Sequence, residues 1–423
     1  MRTAKFINMS SLGPGLLFAA TSVGLSHLVQ STRAGAMYGL ALLLVVVLAN
    51  VFKYPAIKIG STYAAATGQS LLEGYRRQGK WALLYFALTS CVVSFFAISG
   101  ITLLAAGLLK TTLGLSMNTA ALGSTILAIT AVILIVGQYQ WLERITKVLV
   151  VIISLTTVLA AILVIPDIKW SGTSLGSISE LTLTELLFIA ALVGLMPSPM
   201  DASVWQSLWT CAKAEAAGHS FSKEEVNKDF IIGYAGCGTL AICFLLLGAG
   251  LMHSRGIVVE NSAAAFTAQF INLYTDVLGD WTKPVIVAGT FAVLYSSLLV
   301  GLDAVPRSFA VVIDRLTATE SHSDLHYARS DNKWYIIAIC LFVTGPLLLG
   351  SFFLDSFTHI IDFGATVAFV SAPILAYLNH RCITANEIPS DYQATKNFLR
   401  FSIVSIVVLT LFALCYLYIR FVI

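Results

Sequence analysis

Charge is what this sequence has least of. Of its 423 residues 25 are Lys or Arg and 22 are Asp or Glu, 11% in all, against roughly a quarter in a soluble domain. With 57% apolar residues and a mean hydropathy of +0.85, a water-soluble globular chain is excluded. The net charge of +3 is spread over loops and not gathered in a basic patch, which argues against DNA or RNA as a partner. Cysteine is sparse: Cys91, Cys211, Cys237, Cys243, Cys340, Cys382 and Cys415 form no Cys-x-x-Cys pair, and most fall inside apolar segments. They read as buried free thiols, not as a disulfide or zinc framework. His-Glu-x-x-His does not occur, so the metalloprotease signature is missing. Met1–Ser11 lacks the charged, apolar and small-residue order of a cleaved signal, so the first apolar run is expected to stay as a membrane span.

What is present is apolar sequence in lengths that fit a bilayer. Runs of about 20 residues fall near 12–32, 36–60, 82–108, 118–138, 146–166, 184–211, 229–252, 284–306, 334–354, 357–379 and 399–420. The chain is expected to be an all-α integral membrane protein of about 11 transmembrane helices, a single domain without soluble appendages. Lys and Arg set its orientation. With the N-terminus inside, the inner side collects 19 of the 25, from Arg2 and Lys5 through Lys53, Lys58 and Arg144 to Arg329, Lys333 and Arg400. Only Arg33, Lys110, Lys169, Arg255, Lys283 and Arg420 fall outside, which favours a cytoplasmic N-terminus and an external C-terminus. The stretch near 258–280 has the pattern of a helix lying on the surface or covering the bundle. Lys213–Asp229 and Thr317–Lys333 read as solvated connectors, and the His322/His326 pair in the second as accidental spacing.

Two spans are interrupted. The first carries Ser22, Gly24, Ser26 and His27 near its middle, and the sixth carries Met196-Pro197-Ser198-Pro199-Met200-Asp201, where two prolines remove amide donors. Breaks in a bilayer persist only where protein or a water-filled cavity satisfies the freed backbone. Spans one and six hold the same position in two successive five-helix halves, near 12–166 and 184–379, with an extra helix near 399–420. Paired discontinuous helices of this kind point to a secondary transporter with inverted repeats and a site at the midplane.

At these residues the chain resembles the natural resistance-associated macrophage protein (Nramp) family of divalent-metal transporters. The resemblance starts at Gly13-Pro14-Gly15, puts the family's Asp-Pro-Gly-Asn on Gly24-Leu25-Ser26-His27, and continues through Ala34-Gly35, Met196-Pro197, Ser296-Ser297 with Gly301, and Ala263-Ala264-Ala265-Phe266. It implies a leucine-transporter-like fold with inverted repeats and discontinuous helices 1 and 6. It also implies a metal site at Gly24, His27, Met196 and the Val193 carbonyl, a thioether favouring softer transition metals. The family's first-span carboxylate is here Gly24, its asparagine is His27, and its third-span acids fall near Ser94 and Ala97, so its proton route does not carry over as it stands.

The remaining polar groups have more than one reading. His27 could ligate a metal, carry a proton, or pack as a satisfied histidine. Asp201 could be the site's carboxylate or a cap on the half-helix after Pro199. Asp303 pairs with Arg307 at i, i+4, or relays protons. Ser22, Ser26, Ser198 and Ser296 could line a polar cavity or bond quietly between helices. The leading expectation is an Nramp-like transporter of a divalent cation of the manganese or iron type, a monomer in the bacterial inner membrane, with His27 and Asp303 as candidate proton relays, without cofactor or catalysis. The same fold carrying an amino acid or amine is the alternative, motivated by the lost carboxylate.

Overall fold

The structure, a computed structural model, describes residues 13–170, 182–317, 333–352 and 357–422. These are helical almost throughout, with no strand among the described residues. The helices are α1 Pro14–Ser22, α2 Thr32–Tyr38, α3 Leu43–Thr67, α4 Leu71–Gln78, α5 Lys80–Leu113, α6 Thr119–Val164 and α7 Leu183–Leu195. The second half brings α8 Ala202–Ala217, α9 Lys223–Leu251, α10 Ala263–Leu278, α11 Lys283–Thr317, α12 Lys333–Phe352, α13 Phe357–Ile383 and α14 Lys396–Val422. Their ends follow local chemistry. Thr182 with Glu185 and Ser222 with Glu225 form capping boxes that open α7 and α9. Gly114 and Gly218, both left-handed, stop α5 and α8.

Among the described residues, eight helices are long and apolar enough to cross a membrane. They account for eight of the eleven expected spans, and the other three are special cases. The first is helical from end to end, but Val23–Ser31 between α1 and α2 is wound as a π-helix, so the expected interruption is a change of winding and not an open coil. The fifth corresponds to the apolar stretch Ser154–Asp167. The helical winding of α6 passes through the loop expected between spans four and five, where Gln138–Arg144 hold no Gly or Pro to stop it. The sixth is broken in two, α7 and α8, by Met196–Asp201.

Other expectations shift with packing. Lys213–Asp229 is a solvated connector only in its middle: Ala216–Glu225 are exposed save for half-buried Phe221, while Lys213 in α8 and Asp229 in α9 are buried. Cys340 and Cys415 are exposed and Cys91 is half-buried, because they face outward from the bundle, while the other four cysteines are buried. The surface helix is α10, which buries Phe266, Phe270 and Ile271 and lies so close to α5 that a Cβ on Gly107 would stand 2.9 Å from the Ala264 nitrogen. His322, His326, Arg2, Lys5 and Arg329 lie outside the described residues.

The first span is held against α9 at two glycine pairs. A Cβ on Gly15 would fall 2.1 Å from the Asp229 carbonyl oxygen and one on Gly233 2.0 Å from that of Gly15. At the other end, Gly35 abuts the Leu245 carbonyl and Gly248 that of Thr32, again at 2.0 and 2.1 Å. Such backbone contact between small residues is what drives helix association where water is absent.

Candidate functional site

The middle of the first span is a hydrogen-bonded hub. Thr21 Oγ1 and Ser22 Oγ both donate to the Phe18 carbonyl at 2.8 Å, and Ser26 Oγ reaches back to that of Ser22. These local bonds compete with regular helical pairing and favour altered winding. Ser26 Oγ also lies 3.1 Å from the Pro197 carbonyl oxygen in the sixth-span break. The His27 ring is enclosed: Nε2 stands 2.8 Å from the Cys237 carbonyl oxygen of α9, and Nδ1 stands 2.8 Å from both Ser26 Oγ and the Ser22 carbonyl oxygen. Each ring nitrogen thus faces a backbone carbonyl oxygen, an acceptor to which a ring N–H can donate.

Gly24 is where the family resemblance places a carboxylate. Its amide receives no side-chain help from the first span and instead donates to Ser297 Oγ of α11 at 2.9 Å, while Ser297 donates to the Ala20 carbonyl at 2.5 Å. Ser297, and not the expected Ser296, therefore joins the eighth span to the first; Ser296 Oγ bonds within α11 to Val293.

In the break, Met196 is fully buried and its sulfur accepts from Ser31 Oγ at 3.6 Å. Val193 is buried one turn earlier in α7. Asp201 holds the cap position of α8 without making a cap bond; Ser90 Oγ of α5 donates to its Oδ2 at 2.8 Å and Oδ1 takes no hydrogen bond. Ser198 Oγ and Ser94 Oγ are likewise buried without partners. Met196 and Asp201 thus belong to the break, while the His27 ring is held by its own span and α9, and among the described residues no three His, Cys, Asp or Glu side chains come together to hold a metal.

Sequence reasoning treated Lys53 as a flanking cytoplasmic charge. It is instead fully buried within α3, donating from Nζ to the carbonyls of Gly194 at 2.7 Å and Ser198 at 3.1 Å. The available signal was a lysine inside the apolar run 36–60, counted with the inner-side charges. Two further sets were also missed. At the start of the first span, Gly13 and Gly15 amides donate to Asp229 Oδ1 and Oδ2 at 2.9 and 2.7 Å. At its far end Arg33 forms a two-pronged pair with Asp362 of α13, 2.8 and 3.1 Å, which Gln30 Nε2 joins at 2.7 Å. That pair borders a cavity of about 750 Å³ lined also by Phe188, Thr366 and Tyr416. Asp303 makes the expected pair with Arg307, and Tyr335 and Trp209 add donors from α12 and α8.

A helix broken in one half, facing a span of altered winding at the same place in the other, is the architecture of membrane transporters with a leucine-transporter-like fold. The chain belongs to the Nramp family: the sequence model described as natural resistance-associated macrophage protein-like matches residues 15–419. An uncharacterized protein of Pasteurella multocida, PM0681, is 29% identical over 411 residues, covering 96% of this chain and 92% of its own. Among solved structures, a variant of the Eremococcus coleocola manganese transporter superposes with a TM-score of 0.68 at 14% identity, over 98% of this chain and 88% of that one. MhsT in complex with L-phenylalanine gives 0.60 at 14%, over 95% and 97% of the two chains. Mhp1, a nucleobase-cation-symport-1 family transporter, gives 0.58 at 13%, over 96% and 92%. At these identities the structural likeness establishes the fold.

Proposed function

We propose that this protein is a secondary transporter that moves a divalent metal cation of the manganese or iron type across the membrane by alternating access. The observation that carries the reading is the buried Met196 thioether at the break of a central span, in a chain that matches the Nramp family nearly from end to end. A thioether is a soft donor that suits transition metals over calcium or magnesium. Asp201, with one carboxylate oxygen unbonded, supplies the hard donor that Gly24 lacks, and the Val193 carbonyl is a third. In the same proposal His27 or Asp303 carries a coupled proton, and the chain acts as a monomer in the cell membrane without enzymatic activity. The loop charges support a cytoplasmic N-terminus.

The test is uptake of manganese, iron, zinc and magnesium into proteoliposomes, with isothermal titration of the same metals. Met196→Ala should reduce manganese and iron affinity by about 10- to 100-fold, the range for loss of a partner at a metal centre. Asp201→Ala should abolish uptake. Wild-type protein that neither binds nor moves any metal rejects the reading. One observation favours a second reading: with no first-span carboxylate, the carbonyls at the break already hold the Lys53 ammonium. The same fold would then carry a small organic solute such as an amino acid or amine. A thermal shift with organic solutes and none with metals selects it.

A further inference from the structure

The carbonyls that Lys53 meets are not ordinary helix carbonyls. Gly194 lies in the last turn of α7, where carbonyls run out of amide partners. Pro197, three residues on, has no N–H to offer the Gly194 carbonyl, and Ser198, its i+4 partner, lies beyond the end of α7. Ser198 belongs to the break itself. The helix dipole adds partial negative charge at this end of α7, and Asp201, buried and close enough to interact electrostatically with Lys53, adds a full one. Two free carbonyls and a buried carboxylate form the oxygen-rich surround that hard cations take. Here the cation is supplied by α3. An ammonium so deeply buried is costly unless bonded, and two of its three donors are spent on these two carbonyls.

We propose that Lys53 is a resident cation. Its ammonium stands in for a bound monovalent ion, ties the end of α7 to the residues before α8, and makes the broken span self-sufficient in the absence of any free ion. Lys53 is a positioning residue: it acts on substrate through the carbonyls and Asp201. Only the flux arm of its test rests on the metal-transport reading.

The experiment is hydrogen exchange of the full-length protein in detergent, followed on peptides covering 194–203. Lys53→Met, which keeps volume and removes charge, should raise exchange there by about tenfold or more, and Lys53→Arg should leave it within about threefold of wild type. In Lys53→Ala, which leaves space, methylammonium should restore most of the lost protection. N-methylglucamine at equal ionic strength should not. Wild-type exchange in the Met variant overturns the proposal, as does an Ala variant restored by both cations or by neither. In proteoliposomes, methylammonium should also return metal uptake to the Ala variant. Restored protection with no metal uptake even in wild type leaves the resident cation standing and rejects the metal reading.

Discussion

Gly24→Ala tests the contact on which the loss of the first-span carboxylate turns. A Cβ at Gly24 would lie 2.5 Å from Ser297 Oγ and 2.7 Å from Ser297 Cβ, well inside van der Waals contact. Ser297 cannot yield without giving up its bonds to the Gly24 amide and the Ala20 carbonyl. Hydrogen bonds between membrane helices are worth about 0.6 kcal/mol each, and overpacking a well-filled site costs about 1–3 kcal/mol. Together they predict a destabilisation of about 2–4 kcal/mol, of which the better helix propensity of Ala recovers at most about 1 kcal/mol. Ser297→Gly removes both clashing atoms, so the double variant should be more stable than Gly24→Ala alone, with a coupling energy of about 1–3 kcal/mol. The assay is a double-mutant cycle of unfolding in mixed micelles. Additive single effects, or a Gly24→Ala variant as stable as wild type, refute the reasoning. The same geometry predicts that Gly24→Asp, which restores the family's carboxylate, binds metal only when Ser297 is also Gly.

The two ends of the first span give the remaining predictions. Asp229→Asn removes the carboxylate that receives the Gly13 and Gly15 amides; charged hydrogen bonds of this kind are worth about 1.5–3 kcal/mol, so exchange of peptides covering 13–22 should rise more than tenfold while 32–38 is unchanged. Exchange of 13–22 unchanged from wild type would count against a latch at that end. Asp362→Asn breaks the pair with Arg33, whose acid is about one-third exposed, so stability should fall by no more than about 1 kcal/mol. Solvent access to residues 30–37 should increase nonetheless, and the charge-swapped pair Arg33→Asp with Asp362→Arg should reverse it; no recovery in the swap refutes a direct role for the pair.

Much of this architecture is legible in the sequence because a bilayer demands long apolar runs and Pro-x-Pro cannot stay helical. The break at Met196–Asp201 follows from composition alone. The winding of Val23–Ser31 does not, since Gly, Ser and His without proline are compatible with coil, α-helix or π-helix, and the choice depends on Ser297 and Cys237, which lie more than 200 residues away. Span ends are misjudged where polar residues are buried by neighbours. α3 continues past position 60 to Thr67 because Gly60 packs against the Ser203 carbonyl of α8. Lys53 lies inside the run 36–60, and its burial depends on the Gly194 and Ser198 carbonyls, about 140 residues away in sequence. The Arg33–Asp362 pair and the Asp229 contacts join residues whose separation leaves no local pattern to read.

The asymmetry between the two central spans decides where a ligand's donors must come from. A π-wound first span still pairs its main chain within itself, so it has few free carbonyls to offer, and its polar side chains are already engaged: Ser26 with Pro197, His27 with Cys237, and Ser22 with Phe18. The sixth span is truly interrupted. Its freed carbonyls, the Met196 sulfur and the half-bonded Asp201 all lie within a few residues, and the positive charge that balances them comes from α3. In the proposed function, then, the carboxylate that the family resemblance assigns to the first span is supplied by the sixth. The first span is left as the element that packs: clamped by glycines along α9, tied by Asp229 at one end and Arg33 at the other, and free to move only when those ties are released.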